Sequence, residues 1–246
     1  MAVNSLKGRT ALITGAGKRI GRAVAMALSG EGANIVIHYN RSEAEAAALA
    51  GELRACGVEA WLVKADLERP DERSTLVERA AKAAGKIDII VNNASVFPPS
   101  TLSDLSFEDL LSSMTVNAWV PFSLSRDLLR LSKKGDVINI LDTRLADYDW
   151  KHVAYILSKH VLSVLTKMTA VEYAPDVRIN AVAPGLILPP PGEDESYIEG
   201  LTHTVPLKRH GDPEDVASAV IFLLKNDFLT GTVIPVDGGR HLKEGR

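Results

Sequence analysis

Thr10-Ala11-Leu12-Ile13-Thr14-Gly15-Ala16-Gly17-Lys18-Arg19-Ile20-Gly21-Arg22-Ala23-Val24-Ala25 starts as a β-prone apolar run, breaks at a glycine turn and continues as an alanine-rich segment. Strand, glycine turn and helix in that order read as the first βα unit of a nucleotide-binding sheet. Outward from it, short β-branched runs recur at 34–38, 60–64, 87–92, 136–141, 178–182 and 232–236, so seven strands are expected with the first at 10–14. Alanine- and leucine-rich stretches with charges at helical spacing fill the gaps, among them 42–55, 71–84, 107–116, 152–173 and 213–224. Such alternation specifies an α/β doubly wound (Rossmann) fold, a seven-stranded parallel sheet with helices on both faces and a ligand crevice at the strands' carboxyl ends.

The 246 residues, 46% of them hydrophobic, suit one domain spanning 1–246, with no visible linker or repeat. A net charge of −3 gives no basic footprint for nucleic acid or an anionic membrane. No apolar run is long enough for a membrane helix, residues 1–10 lack a secretory apolar core, and Cys56 is the single cysteine, so a cytoplasmic location is expected. One cysteine and six scattered histidines offer no metal-ligand spacing, and no metal is expected. The long irregular stretch at about 185–206, with Pro189, Pro190 and Pro191, reads as a substrate lid or as simple disorder.

Glycines in the 14–21 turn let backbone N–H groups approach a pyrophosphate, and the helix N-terminus adds partial positive charge. The spelling departs from G-x-G-x-x-G because Ile20 holds the third glycine's place, and a mere tight connection is the alternative. At the end of the second strand, where an NAD enzyme presents a carboxylate to the ribose, the segment is His38-Tyr39-Asn40-Arg41-Ser42. Arg41 and Ser42 would welcome a 2′-phosphate, which makes NADP(H) the expected cofactor. Ser42 also reads as the cap of the next helix, with Glu45 completing a capping box. Tyr155 and Lys159, four apart, share one face of the long helix. A lysine charge there would lower the Tyr155 pKa and fit the phenol for acid catalysis, unless the two are an ordinary surface pair.

Thr14-Gly15…Gly21, Asp66-Leu67, Asn92-Asn93-Ala94, Asn117, Tyr155…Lys159, Pro184-Gly185 and Val236-Asp237-Gly238-Gly239 together resemble the short-chain dehydrogenase/reductase family over the whole chain. The resemblance implies a catalytic group of Asn117, Tyr155 and Lys159, with Lys159 also holding the nicotinamide ribose. It further implies a cofactor-binding set of Gly15, Lys18, Arg19, Ile20, Gly21, His38, Tyr39, Asn40, Arg41, Ser42, Asp66, Leu67, Asn93, Ala94, Ser95, Pro184 and Gly185. A homotetramer packed through the long helices and the last strand is the implied assembly.

Two departures from the common family pattern are informative. Arg19 stands where most members have the turn's second glycine, and Asp142, thirteen residues before Tyr155, stands where most have a serine. Both, with the 38–42 segment and Asn93-Ala94-Ser95-Val96-Phe97, resemble the pteridine reductase branch. That resemblance implies NADPH-dependent reduction of pterins or dihydropterins, with dihydrofolate a poorer substrate. A pterin ring nitrogen must gain a proton as the adjacent carbon gains hydride, so a carboxyl at Asp142 working with Tyr155 replaces a polarising hydroxyl. Phe97 would stack on the pterin, and Arg19 and Ser95 would bind substrate or cofactor phosphate. The bland alternatives are a loop anchor for Phe97, a solvated first-turn residue for Arg19 and a strand-end cap for Asp142. A carbonyl or 3-oxoacyl thioester reductase and a silent NADP(H)-binding regulator are the rival functions.

Overall fold

The computed structural model describes residues 5–146, 149–190 and 192–243; Pro191 of the expected loop and the first four residues lie outside them. All seven expected strands are present: β1 Thr10–Ile13, β2 Asn34–Tyr39, β3 Ala60–Lys64, β4 Ile89–Asn92, β5 Gly135–Ile140, β6 Val177–Pro184 and β7 Val233–Val236. They form one parallel sheet in the order β3-β2-β1-β4-β5-β6-β7. Among the described residues the α-helices are α1 Arg19–Gly30, α2 Glu43–Ala55, α3 Pro70–Arg73, α4 Leu76–Ala84, α5 Phe107–Met114, α6 Val120–Ser132, α7 Val153–Glu172, α8 Glu195–Glu199 and α9 Pro213–Lys225.

The period of two along each strand divides the core between the faces of the sheet. Ala11, Ile13, Ile35, Ile37, Ile89 and Val91 point to the layer that holds Val24 and Leu28 of α1, Leu49 and Leu53 of α2, and Val220 and Leu224 of α9. Leu12, Val36, Ile90, Val137 and Ile179 point the other way, onto Leu76 and Ala80 of α4 and Leu124 and Leu128 of α6. Continuous apolar runs rather than alternating ones follow from this two-sided burial. β7 is an edge strand, and its exposed Pro235 cannot donate to another strand, which blunts that edge.

Ionic contacts tie the strands together at their amino ends. Asp136, nearly buried, is paired with Arg9 and with its cross-strand neighbour Arg178, each at 2.5 Å. Arg178 also donates to the carbonyls of Asn226 and Leu229 beyond α9. With these groups satisfying one another, the opposite, carboxyl end of the sheet is left to shape a site.

Three local expectations change. The 71–84 helix is broken into α3 and α4, because Ser74 and Thr75 hydrogen-bond back to the Asp71 carbonyl and compete with the helical ladder. The 107–116 helix does not stop: after α5 the chain makes a π-helical turn over Thr115–Trp119 and runs on as α6, accommodating Pro121. The 185–206 stretch is irregular only in part. It carries α8, started by Asp194 accepting from the Ser196 N–H, and a 3₁₀ turn at Thr202–Thr204. Leu186, Ile198 and Val205 form a small core of its own. Among the described residues no helix is long and apolar enough to cross a membrane, and no cluster of three His, Cys, Asp or Glu could hold a metal.

Candidate active site

The order β2-β1-β4 reverses the direction of winding at β1, and the segments leaving β1, β4, β5 and β6 open towards one crevice. After β1, Gly15 takes φ +64°, and Gly21 has no room for a side chain: a Cβ would lie 2.5 Å from the Gly15 carbonyl and 2.6 Å from Asn93 Nδ2. Arg19 adopts φ +55°, the left-handed conformation that its position's usual glycine would take freely. Its guanidinium donates to the Pro189 carbonyl at 2.7 Å, so the glycine turn grips the 185–206 segment.

The cofactor set divides into inward braces and outward groups. His38 is buried; its Nδ1 accepts from the Gly15 N–H at 3.1 Å, and its Nε2 donates to the Ala65 carbonyl at 3.1 Å. Burial, opposed by the Ala65 carbonyl, drives its pKa from 6.5 down to about 4, so the ring is neutral. His38 therefore faces the turn's backbone and has no ring nitrogen left for a ligand. The side chains of Tyr39 and Leu67 pack into the core beneath the crevice ends of β2 and β3. Asn93 donates to the carbonyls of Thr14 and Gly15, and Thr14 Oγ1 accepts from the N–H groups of Asn93 and Ala94, which stitches β4 to β1. Asp66 accepts from the Glu68 N–H, while its own N–H is held by Glu72. Pro184 ends β6, and a Cβ on Gly185 would fall 2.3 Å from that of Asp237.

Arg41 is exposed and Asn40 and Ser42 half-buried beside the glycine turn; Ser42 Oγ lies 3.4 Å from where a Gly17 side chain would begin. The expected Ser42–Glu45 capping box does not form. Ser42 makes no side-chain cap to α2, and Glu45 instead pairs with Lys18 at 2.5 Å. Lys18 in turn makes no side-chain cap to α1, and Ile20 lies in its first turn against the first core layer.

The chemical groups gather across β5 and α7. Tyr155 Oη donates to Asp142 Oδ2 at 2.9 Å, and Asp142 Oδ1 accepts from the Arg144 N–H. Lys159 is buried and donates to the Ile140 carbonyl at 2.7 Å, its Nζ 5.5 Å from the centre of the Tyr155 ring. Burial first, and then the Asp142 carboxylate, push the phenol well above its usual 10. The expectation that Lys159 lowers it is overturned: the ammonium is turned to a carbonyl, and burial drops its own pKa to about 8. Tyr155 thus keeps its proton at neutral pH.

Asn117 is fully buried in the π-helical turn, and its amide is fully engaged. Oδ1 accepts from the Val96 N–H and the exposed Ser95 hydroxyl, and Nδ2 donates to the Val96 carbonyl and Ser158 Oγ. It braces the loop after β4 against α7 and makes no hydrogen bond to Tyr155 or Lys159. That loop brings Phe97 edge-on to Tyr155, with centroids 4.6 Å apart, and face-on to His152 at 3.7 Å. His152, with Asp149 and Arg144, was not singled out by sequence; its place three residues before Tyr155 was the available signal.

A family model described as enoyl-(acyl carrier protein) reductase matches residues 15–241. An uncharacterized oxidoreductase of Mycobacterium tuberculosis is 37% identical over 246 residues, covering 95% of this chain and 92% of that one. The granaticin polyketide synthase putative ketoacyl reductase 2 of Streptomyces violaceoruber is 32% identical, covering 98% and 100%. Among solved structures, FolM alternative dihydrofolate reductase 1 from Brucella canis, complexed with NADP, superposes with a TM-score of 0.91 at 32% identity, covering 99% and 98% of the two chains. The Brucella suis protein of the same name, also with NADP, gives 0.92 at 32% identity and 96% of each.

The neutral His38 makes stability pH-dependent. Below pH 6.5 the unfolded chain binds a proton that the native ring refuses until about pH 4, so its contribution is complete above 6.5 and lost as pH falls through 4. The loss should reach about 3 kcal/mol. Urea unfolding at pH 7, 5.5 and 4 should show it, and His38→Gln should flatten the decline; an equally steep decline in the variant assigns it elsewhere.

Proposed function

The chain belongs to the short-chain dehydrogenase/reductase family, and from that premise we propose that it is an NADPH-dependent reductase of pterins and dihydropterins. The observation that carries this reading is the 2.9 Å contact between Asp142 and the Tyr155 phenol, a carboxylate where most of the family has a serine. Likeness to two alternative dihydrofolate reductases with bound NADP supports both substrate class and cofactor.

The residues fit a dinucleotide. Gly15 and Ala16 N–H groups are engaged by His38, which leaves the turn from Gly17 onward, at the uncapped start of α1, to meet a pyrophosphate. Arg41, Ser42 and Lys18 supply donors for a 2′-phosphate at the uncapped start of α2. Lys159, with one N–H on Ile140, keeps two for ribose hydroxyls. Asp66, Leu67, Asn93 and Ala94 line the adenine and nicotinamide portions as the family pattern has them. NADPH, when bound, supplies hydride to the ring carbon.

Proton delivery belongs to Tyr155 and Asp142. The phenol, protonated and buried, lends its proton to the ring nitrogen, and the half-buried Asp142 returns one from solvent. A phenolate left beside a carboxylate is unstable, which makes that return fast and ties turnover to the carboxyl group. Asn117 serves as a brace for this arrangement, and Ser95, Phe97 and Arg19 border the substrate. The 185–206 segment, held by Arg19, is the substrate loop. The ketoacyl reductase relative favours carbonyl reduction as a second reading, and Asp142 weighs against it.

Arg41→Ala should remove a charge-assisted contact of about 1.5–3 kcal/mol, weakening NADPH roughly ten- to hundredfold and leaving NADH little changed. Direct titration of both cofactors checks this, and equal losses would put Arg41 elsewhere. We also infer a cytoplasmic homotetramer. Leu157, Val164, Met168 and Val171 form an exposed apolar stripe on α7 that a second copy would cover, and sedimentation equilibrium showing an active 26.5 kDa monomer would refute it. Asp142→Asn should cut pterin turnover by about 10²–10⁴ while NADPH binding stays within a few-fold, and Asp142→Ser should fail on pterins too. Full pterin activity in Asp142→Ser would make the carboxylate structural and bring the carbonyl reading forward.

A further inference from the structure

His152 has no place in the proton path, yet it lies in a closed network around Tyr155. Asp142 joins the phenol to the Arg144 N–H, the Arg144 guanidinium pairs with Asp149, and Asp149 Oδ2 binds His152 Nδ1 at 3.0 Å. The imidazole lies flat on Phe97, with ring centres 3.7 Å apart and planes within 17°, and Phe97 closes the circuit edge-on to Tyr155. The stack rests on more than ring contact. Ser100, buried, pairs with the backbone on either side of His152: its N–H donates to the Lys151 carbonyl at 2.8 Å, and its carbonyl accepts from Val153 at 3.0 Å. Its hydroxyl accepts from the Ala154 N–H at 3.1 Å. The loop bearing Phe97 is therefore fastened at Val96 by Asn117 and at Ser100 by the start of α7. Phe97 has little freedom to tilt away from His152.

We propose that the Asp149–His152 pair is a positioning device for the substrate: the imidazole backs one face of Phe97, so that the other face is fixed for a flat heteroaromatic ring and such rings are favoured over small ketones. The inference rests on the pterin reading above. The Asp149 carboxylate fixes the rotation of the imidazole, the imidazole fixes the plane of the benzene ring, and that plane is set perpendicular to the phenol that gives the proton. A ring stacked on Phe97 then presents its edge, where the nitrogen to be protonated lies, to Tyr155. A ketone has no face to stack and gains nothing from the device.

The test uses oxidised biopterin binding to the NADP⁺-loaded protein, read by quenching of pterin fluorescence, together with KM and kcat for dihydrobiopterin and a small ketone. His152→Ala and His152→Gln should each weaken biopterin about tenfold and raise the dihydrobiopterin KM to match, with kcat within about twofold. His152→Phe, which keeps a ring and loses the bond to Asp149, should recover part of the affinity and fall short of the parent. NADP⁺ affinity, unchanged throughout, reports an intact fold; should His152→Ala lose it, His152→Gln carries the comparison. Parent-like biopterin binding in His152→Gln, or His152→Phe as weak as His152→Gln, would overturn the proposal. A parent that binds biopterin without reducing dihydrobiopterin removes pterin reduction and leaves the stacking to be judged on the binding constants. A parent that reduces dihydrobiopterin, with all three variants unchanged, removes only the role of His152. A parent that binds no biopterin overturns both.

Discussion

The close approach of backbone at Gly21 conditions the rest of the site. With the Gly15 carbonyl and Asn93 Nδ2 both within about the distance a methyl group would need, α1 can begin directly above the end of β1 only because residue 21 has no side chain. That proximity lets Asn93 reach the carbonyls of Thr14 and Gly15, which fixes where the chain leaves β4. Two residues on, Ser95 and Val96 meet Asn117, and the next residue is Phe97. The position of the aromatic ring beside Tyr155 is thus inherited, through three short hydrogen-bonded steps, from packing at the first turn.

Electrostatics in the crevice run opposite to a simple lysine–tyrosine pair. Lys159 is turned to the Ile140 carbonyl, so the group nearest the phenol oxygen is anionic rather than cationic. A carboxylate at hydrogen-bond distance orients the phenol and stands ready to relay a replacement proton once the first has passed to nitrogen. It suits less well a reaction that needs a stabilised phenolate. The braces obey the same economy: His38 and Asn117 place every side-chain polar atom they have on backbone or on another side chain.

The strands were legible because burial on both faces makes each one a solid apolar run, and the glycine turn named the first βα unit. Helix breaks were not. Ser74 and Thr75 look like ordinary helix residues until their hydroxyls are seen returning to the Asp71 carbonyl, and the helix expected to end at residue 116 is carried on by a π turn into α6. In the site, helical spacing paired Tyr155 with Lys159, the family resemblance added Asp142, and the structure brings Tyr155 and Asp142 into contact. Spacing could not say that a main-chain carbonyl would capture the lysine, nor that His38 would turn inward. His152 escaped notice because its partners, Phe97 and Asp149, come from separate loops, and a stack between them leaves no periodic trace.

The π-helical turn at Thr115–Trp119 also bears on which changes of chain length the fold can absorb. Each residue of an α-helix advances the side-chain direction by about 100°. Deleting a single residue within that turn would put α5 and α6 in one helical phase and leave Pro121 inside a continuous helix, without the wide turn that now accommodates it. It would also rotate the two segments against each other by about that angle. With Leu124 and Leu128 kept in the core, Asn117 would swing off Val96 and Ser158; with Asn117 kept, the leucines would leave the core. The irregular turn therefore acts as a phase adjuster between a packing register and a site register, and this short stretch should be far less tolerant of insertions and deletions than of substitutions.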